Sequence, residues 1–105
     1  MALRLRRRLY MRKWWNSNLE WTRVYRAMKK YGLTLDEYHA MYERQDFACA
    51  ICGTDDSGLV VDHDHESGKV RGLLCNRCNT GLGMFGESQH IFAKACDYVV
   101  RHQGA

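Results

Sequence analysis

Residues 49–79 have the sequence CAICGTDDSGLVVDHDHESGKVRGLLCNRCN, in which two Cys-x-x-Cys pairs enclose an Asp-His-Asp-His run. The two pairs are 22 residues apart, and an asparagine directly follows the last cysteine. Two intervening residues let both sulfurs of a pair face one ion, and two such pairs complete a tetrahedron. The spacing therefore predicts a closed, structural zinc site, whose ligands are Cys49, Cys52, Cys75 and Cys78. A rubredoxin-type iron site and a redox pair are the alternatives.

The run Asp62-His63-Asp64-His65 lies between the two cysteine pairs and indicates a second, catalytic metal site. In a regular strand the two acids would face one way and the two histidines the other, unless a bulge re-aims them. Spacing alone leaves open which pair converges. A calcium-binding EF-hand loop does not fit, because Gly68 stands at position 7 and Leu73 at position 12. A second zinc site and a solvated polar turn remain as alternatives.

Local patterns around this run predict a hairpin followed by a short helix. Residues 59–61 are apolar, 66–69 form a turn with Gly68, and 70–74 return as the second strand. The helix is expected from Cys75 to about Met84, where the nearby glycines end it. These glycines are Gly81, Gly83 and Gly86.

Helices are predicted upstream of the cysteines. Residues 16–31 have helical periodicity, with Asn16 or Ser17 as the N-cap and Gly32 at the C-terminus. The apolar stripe of this helix consists of Trp21, Val24, Tyr25 and Met28. It is expected to be buried in the core, and a base-stacking platform is the alternative. Thr34 and Glu37 form a capping-box pattern that opens a second helix, which extends to about Gln45. Its expected buried face consists of Leu35, Tyr38, Met41 and Tyr42.

One more helix is predicted downstream, from the N-cap Ser88 to about His102. Its apolar stripe contains Ile91, Phe92, Ala95 and Val99. We expect Cys96, beside that stripe, to be a small buried hydrophobic residue rather than a metal ligand.

The charge is divided unevenly along the chain. Residues 1–30 carry ten Lys/Arg and one acid, a net +9, whereas the other 75 residues carry a net −5. We expect residues 1–15 to be frayed when unbound and to contact a polyanion, with Trp14 and Trp15 either stacking on bases or anchored in the core. The basic residues expected to contact DNA are Arg4, Arg6, Arg7, Arg8, Arg12 and Lys13, with Arg71 and Arg77 beside the catalytic run.

The 105 residues predict one structural domain. Its expected parts are a basic arm (1–15), a helical segment (16–46), a zinc-bound core (47–87) and a C-terminal helix (88–105). No stretch is long and apolar enough for a membrane span, and no secretory signal is present, although the Arg-rich start also resembles a transit peptide. The cysteine spacing, typical of metal knuckles, predicts a reducing, cytoplasmic setting.

The order Cys-x-x-Cys, Asp-His-x-His, Arg-Gly-Leu-Leu-Cys-x-x-Cys-Asn closely resembles the recombination endonuclease VII family over residues 49–83. That family belongs to the HNH, or ββα-metal (His-Me finger), nucleases. The resemblance implies that Asp62 and Asn79 hold one catalytic Mg²⁺ or Mn²⁺, that His63 is the general base, and that His65 supports the site. It also suggests a phage origin, with the cytoplasm of a bacterium or infected host as the place of action.

The predicted fold class is α+β, with N-terminal helices, a central zinc-bound ββα-metal unit and a C-terminal helix. The predicted function is a metal-dependent DNA endonuclease that uses histidine-activated water and one Mg²⁺, selective for Holliday junctions or other branched DNA. The alternatives are a homing or nicking HNH endonuclease, or a non-catalytic zinc DNA-binding module. Symmetric cleavage of a branch would require a homodimer. An acid-rich run beside phosphates favours the enzyme, because without a cation it would repel DNA.

Overall fold

The computed structural model describes residues 2–16, 18–55 and 58–104, and their side chains except those of 13–20. These ranges contain α1 (Leu3–Asn16), α2 (Asn18–Tyr31), α3 (Leu35–Arg44), β1 (Val60–His63), β2 (Val70–Leu74), α4 (Asn76–Met84) and α5 (Gln89–Arg101). The two strands pair antiparallel as one hairpin. The predicted α+β class is therefore confirmed, with helices on both sides of a ββα unit.

The N-terminal segment is helical, so the expectation of a frayed start is wrong. The ring of Tyr10 on α1 lies 4.3 Å from that of Tyr42 and 5.4 Å from that of Phe47. The Tyr10 hydroxyl is 2.7 Å from Nδ1 of His39 on α3. Packing of one face, rather than helix propensity, is the usual source of helix stability in proteins. The predictions for Ser17 and for the side chains of Lys13, Trp14 and Trp15 concern positions outside the described residues.

The ends of α2 and α3 follow their local signals. Gly32 has φ +67°, and the amide of Leu33 donates to the Met28 carbonyl at 3.1 Å, the bonding of a Schellman C-cap. Both hydrogen bonds of the capping box between Thr34 and Glu37 are present.

The apolar stripe of α2 is only partly buried. Val24 is 1% exposed, but Trp21 and Tyr25 are 48% and 47% exposed. The prediction that this stripe is core is therefore wrong for its two aromatic residues. α2 packs against α1 and α3, and these contacts bury the side of the stripe that carries Val24.

The hydrophobic core lies between α3 and the hairpin. Its most buried members are Leu73 and Val24, which are at most 1% exposed, followed by Leu59 and Tyr38 at 2%. Leu59 precedes β1, and its amide donates to the Tyr42 hydroxyl at 3.2 Å. The hairpin, its second strand and its turn are as predicted, but β1 begins at Val60 and extends to His63, and Gly68 has φ +75°.

Gln45, the C-cap residue of α3, connects this helix to β2. Its amide nitrogen donates to the carbonyls of Ala48 (2.9 Å) and Leu73 (2.8 Å), and its Oε1 accepts from the Leu73 amide (2.9 Å). A Cβ on Gly72 would lie 3.0 Å from that Oε1, so a side chain there would crowd the Gln45 amide. The sequence offered no signal for this contact.

We expect Gln45→Ala to destabilise the domain by about 2 kcal/mol, because the amide of fully buried Leu73 loses its acceptor. Thermal unfolding followed by circular dichroism measures the change. Gln89→Ala, on the exposed start of α5, is the matched control. Equal melting temperatures for the two variants would contradict a stabilising role for Gln45.

The two helices after the hairpin have the predicted bounds, since α4 ends at Met84 and α5 lies between its caps Ser88 and His102. α4 continues through Gly81 and Gly83, and the chain turns only at Gly86 (φ +64°) and Glu87 (φ +56°). Ser88 caps α5 as predicted, because its hydroxyl accepts from the Ile91 amide at 3.2 Å. Helical glycines cost stability without necessarily ending a helix.

The C-terminal helix α5 has no buried residue. Ile91 is 41% and Val99 54% exposed, and Cys96 is exposed rather than buried as predicted. Helical periodicity indicates which face is apolar, but the elements that would cover that face are set elsewhere in the fold. None of the helices in the described ranges has the length and apolar character of a membrane span.

Candidate active site

The four cysteines of the two pairs converge as predicted. Their sulfur atoms all lie within 4.8 Å of one another, and Sγ of Cys52 is 3.7 Å from Sγ of Cys75. A tetrahedral zinc site with Zn–S bonds of about 2.3 Å has sulfurs about 3.8 Å apart. The group of four thiols therefore fits a structural zinc ion.

Hydrogen bonding and burial act differently on the four thiols. Burial opposes ionisation of Cys49, but bonds from backbone amides, first that of Cys75, outweigh it and lower its pKa to about 6. Burial, with the neighbouring sulfurs, raises the pKa of Cys78 to about 12. Four clustered thiolates repel one another, and a divalent cation removes that repulsion.

Two separate parts of the chain supply the cysteines. Cys49 and Cys52 lie in the turn after α3, where the Ala50 amide donates to the Leu73 carbonyl at 3.2 Å. Cys75 follows β2 and caps α4 through its sulfur, which accepts from the Cys78 amide at 3.4 Å. A metal ion at the cysteines would thus bind the α3 side of the domain to the hairpin and α4.

Asn79, predicted as a metal ligand, lies in the first turn of α4 beside this cluster. Its amide donates to the Cys75 carbonyl at 3.0 Å, and the side chain is half-buried. The cysteine cluster therefore holds the backbone that carries Asn79. α4 packs against both strands of the hairpin.

Asp62 and Arg71 face each other at a bulge in the hairpin. Asp62 pairs with Gly72 and His63 with Val70, so Arg71 is the extra residue of β2. Nε of Arg71 donates to Oδ2 of Asp62 at 2.8 Å, and Nη2 of Arg71 donates to Oδ1 of Asp62 at 3.0 Å. The hydrogen bond to Asp62, followed by that to Glu87, raises the pKa of Arg71. Asp62 is only 8% exposed, so this pairing compensates a buried carboxylate.

His63 and His65 lie together on one side of the strand end. Their ring centroids are 4.8 Å apart, and the ring of His63 is also 5.2 Å from that of Tyr31 at the end of α2. Asp64 has a different role, because its Oδ1 accepts from the Glu66 amide at 2.8 Å, and this bond lowers its pKa. Of the two acids in the run, Asp62 therefore belongs to β1 and Asp64 to the turn.

Glu87 is a member of the site for which the sequence carried no signal. It follows α4, and its amide donates to the Leu82 carbonyl at 2.9 Å. Its carboxylate accepts a hydrogen bond from Arg71 and lies 3.9 Å from Nε2 of His65. Glu87 therefore connects the Arg71 guanidinium, which pairs with Asp62, to the histidine pair.

The predicted DNA-contacting residues are distributed over several surfaces. Arg4, Arg8 and Arg12 are exposed at every fourth position of α1. Arg6 instead forms an ion pair with Asp55 at 3.2 Å, and Arg7 lies 3.6 Å from Glu43. The Lys13 side chain lies outside the described part. A hydrogen bond to the Cys52 sulfur raises the pKa of Arg77, so this guanidinium lies against the cysteine cluster.

Comparison with known proteins adds independent information. The family described as recombination endonuclease VII matches residues 24–101, a range that contains the whole site and leaves out α1. The Gene 59 proteins of Mycobacterium phages D29 and L5 are each 42% identical to this chain, over 78 and 79 residues. The aligned parts cover 70% and 71% of this chain but 47% and 48% of those proteins, so the chain spans about half their length. No solved structure matches the chain at a significant level.

Proposed function

This chain belongs to the recombination endonuclease VII family, and on that premise we propose that it is a metal-dependent DNA endonuclease. The reaction is hydrolysis of a phosphodiester bond by water that a histidine activates, with one Mg²⁺ or Mn²⁺. The observation that carries the proposal is the pair of neighbouring residues Asp62 and His63 at the bulged strand end, close in the fold to the helix that begins at the cysteine cluster.

His63 is proposed as the general base. A neutral imidazole accepts a proton from water near neutral pH, and its half-buried ring is supported by Tyr31 and His65. His65, at the exposed edge, is proposed to assist at the phosphate. In this HNH-type arrangement, the reacting water would be deprotonated on the histidine side of the strand.

Asp62 and Asn79 are the proposed ligands of the catalytic cation. A carboxylate and an amide oxygen suit Mg²⁺, which would stabilise the charge that develops on the phosphate oxygens. Both oxygens of Asp62 already accept from Arg71, but each carboxylate oxygen has two lone pairs, so acceptor capacity remains. Zinc at the four cysteines is proposed to have a purely structural role, because four thiolates complete its coordination.

The direct test is relaxation of supercoiled plasmid by zinc-loaded protein in the presence of Mg²⁺ or Mn²⁺, followed by assays on four-way and Y-shaped DNA. We expect nicking that depends on the divalent cation, with branched DNA preferred. Absence of cleavage on all these substrates would favour the alternative, a non-catalytic zinc DNA-binding module. Equal cleavage of branched and linear DNA would favour a homing, nicking or non-specific HNH enzyme.

Resolution of a Holliday junction needs two active sites, and we therefore propose a homodimer for that activity. Sedimentation at the working protein concentration tests it, and a strict monomer would contradict junction resolution. The exposed arginines of α1 are proposed to contact the DNA backbone. Because the matched relatives are phage proteins, the cytoplasm of an infected bacterium is the proposed setting.

Glu87 is proposed to position Arg71, and its removal should change the cation requirement. In Glu87→Gln the positive charge of Arg71 would be shared with Asp62 alone, so it would compete more strongly with a divalent cation. For a partly exposed ion pair we expect the Mg²⁺ concentration at half-maximal nicking to rise about fivefold. Titration of Mg²⁺ in the plasmid assay measures this change.

Glu66→Gln is the matched control for Glu87, because it removes an exposed acid from the turn of the same hairpin. Electron paramagnetic resonance measures Mn²⁺ binding in the absence of DNA. This measurement separates cation affinity from catalysis. An unchanged Mn²⁺ affinity in Glu87→Gln would show that Glu87 does not act through the cation site.

A further inference from the structure

The surface of α2 carries a row of side chains four residues apart, Trp21, Tyr25 and Lys29, which we call the α2 row. The two rings are 48% and 47% exposed. The ammonium of Lys29 lies 5.4 Å from the centroid of the Tyr25 ring, within cation–π range. Two large rings on one helical row, with a cation close to the second ring, give this surface an aromatic and basic character.

The α2 row lies between the buried face of the helix and its basic face. Val24, on one side, is buried at 1% exposure, and Arg26, on the other, is exposed. Residues 21–31 contain four Lys/Arg and no acid, and they belong to the strongly basic first third of the chain. An anionic partner with flat apolar faces matches both properties of this surface.

The same helix leads to the proposed site of cleavage. Tyr31, its last residue, places its ring 5.2 Å from that of His63. At a rise of about 1.5 Å per residue, Tyr25 lies about 9 Å and Trp21 about 15 Å along the axis from Tyr31. Measured along the helix axis alone, a phosphate at His63 would therefore lie within a few nucleotides of the α2 row.

We propose that the α2 row is a stacking platform for unpaired bases of the DNA strand that enters the cleavage site. The inference rests on the proposed nuclease function and specifies its substrate as DNA with a locally unpaired strand. Aromatic side chains stack on bases only where the base faces are exposed, whereas in a duplex those faces are covered by neighbouring bases. The adjacent cations would follow the phosphates of the same strand.

The experiment measures binding of labelled oligothymidine and of a duplex of equal length by fluorescence anisotropy. The protein is the full, zinc-loaded chain with His63→Ala, without added Mg²⁺, so that DNA remains intact. We expect Trp21→Ala and Tyr25→Ala each to weaken oligothymidine binding about tenfold and to leave duplex binding nearly unchanged. Trp21→Phe, which keeps a ring, should retain most of the affinity.

Tyr98→Ala is the matched control, because it removes a ring that is 60% exposed on α5. Zinc content and melting temperature show that each variant is folded. Equal weakening toward both DNAs would indicate backbone contact only and would overturn the stacking platform. Unchanged binding to both, together with loss of a dimer in Trp21→Ala, would show that a second copy covers the row and would also overturn it.

The same measurements distinguish this inference from the nuclease itself. If the wild-type protein nicks plasmid and Trp21→Ala binds oligothymidine normally, only the stacking platform is overturned. Wild-type protein that nicks no substrate overturns the nuclease, whatever the binding data are.

Discussion

Replacing His63 by alanine should slow plasmid nicking about a thousandfold, within the range for loss of a general base. The variant retains the two proposed cation ligands, Asp62 and Asn79. It lacks the imidazole at position 63 that would take the proton from water. His63 is half-buried and outside the hydrophobic core, so the domain should remain folded. Rates are measured on supercoiled DNA with Mg²⁺, using equal amounts of zinc-loaded protein.

Two further variants make the His63 result interpretable. His90→Ala removes an exposed histidine from α5 and should nick at the wild-type rate. His63→Gln keeps most of the side-chain volume against Tyr31 but provides no comparable base, so it should be nearly as slow as His63→Ala. If either His63 variant nicked at the rate of His90→Ala, another group would have to activate the water.

Removal of zinc should unfold the domain. The apparent binding free energy of a structural zinc site is about 10–16 kcal/mol. It is as large as the whole free energy of unfolding of a typical domain, about 5–15 kcal/mol. In this chain the four sulfurs connect the turn after α3 to β2 and α4, and Cys49 and Cys75 are themselves part of the core. Chelation should therefore remove the cooperative thermal transition, and added Zn²⁺ should restore it.

Cysteine variants test the same expectation without a chelator. Cys75→Ser should abolish zinc binding and the cooperative transition, because it removes a buried ligand of the cluster, whereas the serine hydroxyl can still cap α4. Cys96→Ser is the matched control, since Cys96 is exposed and lies outside the cluster, and its melting temperature should equal that of wild type. An unchanged transition after verified loss of zinc would show that the core is stable without the metal.

Features that depend on neighbouring residues were predictable from sequence. The capping box at Thr34, the C-cap at Gly32 and the N-cap at Ser88 each involve residues within a few positions of one another. The hairpin and the helix after Cys75 likewise follow from alternation, turn residues and the knuckle. Local backbone sterics and hydrogen bonding determine these features, and the printed sequence contains both partners side by side.

The site was predictable as a set of residue names, but its arrangement was not. Alternation in a strand separates Asp62 from His63, and only the observed bulge at Arg71 shows how the hairpin is bent there. The sequence predicts that Arg71 contacts DNA, but its pairs with Asp62 and Glu87 are visible only in the structure. Glu87 comes from a turn with positive φ, which no spacing rule connects to the Asp-His run.

The sequence by itself determined the four-cysteine cluster, the ββα unit and the family, because short-range spacing specifies each of them. Tertiary structure alone decided that α1 packs through Tyr10, that Trp21 and Tyr25 are exposed, and that α5 buries none of its residues. The physical reason is that periodicity shows which face of a helix is apolar, whereas burial depends on distant elements that fold against that face.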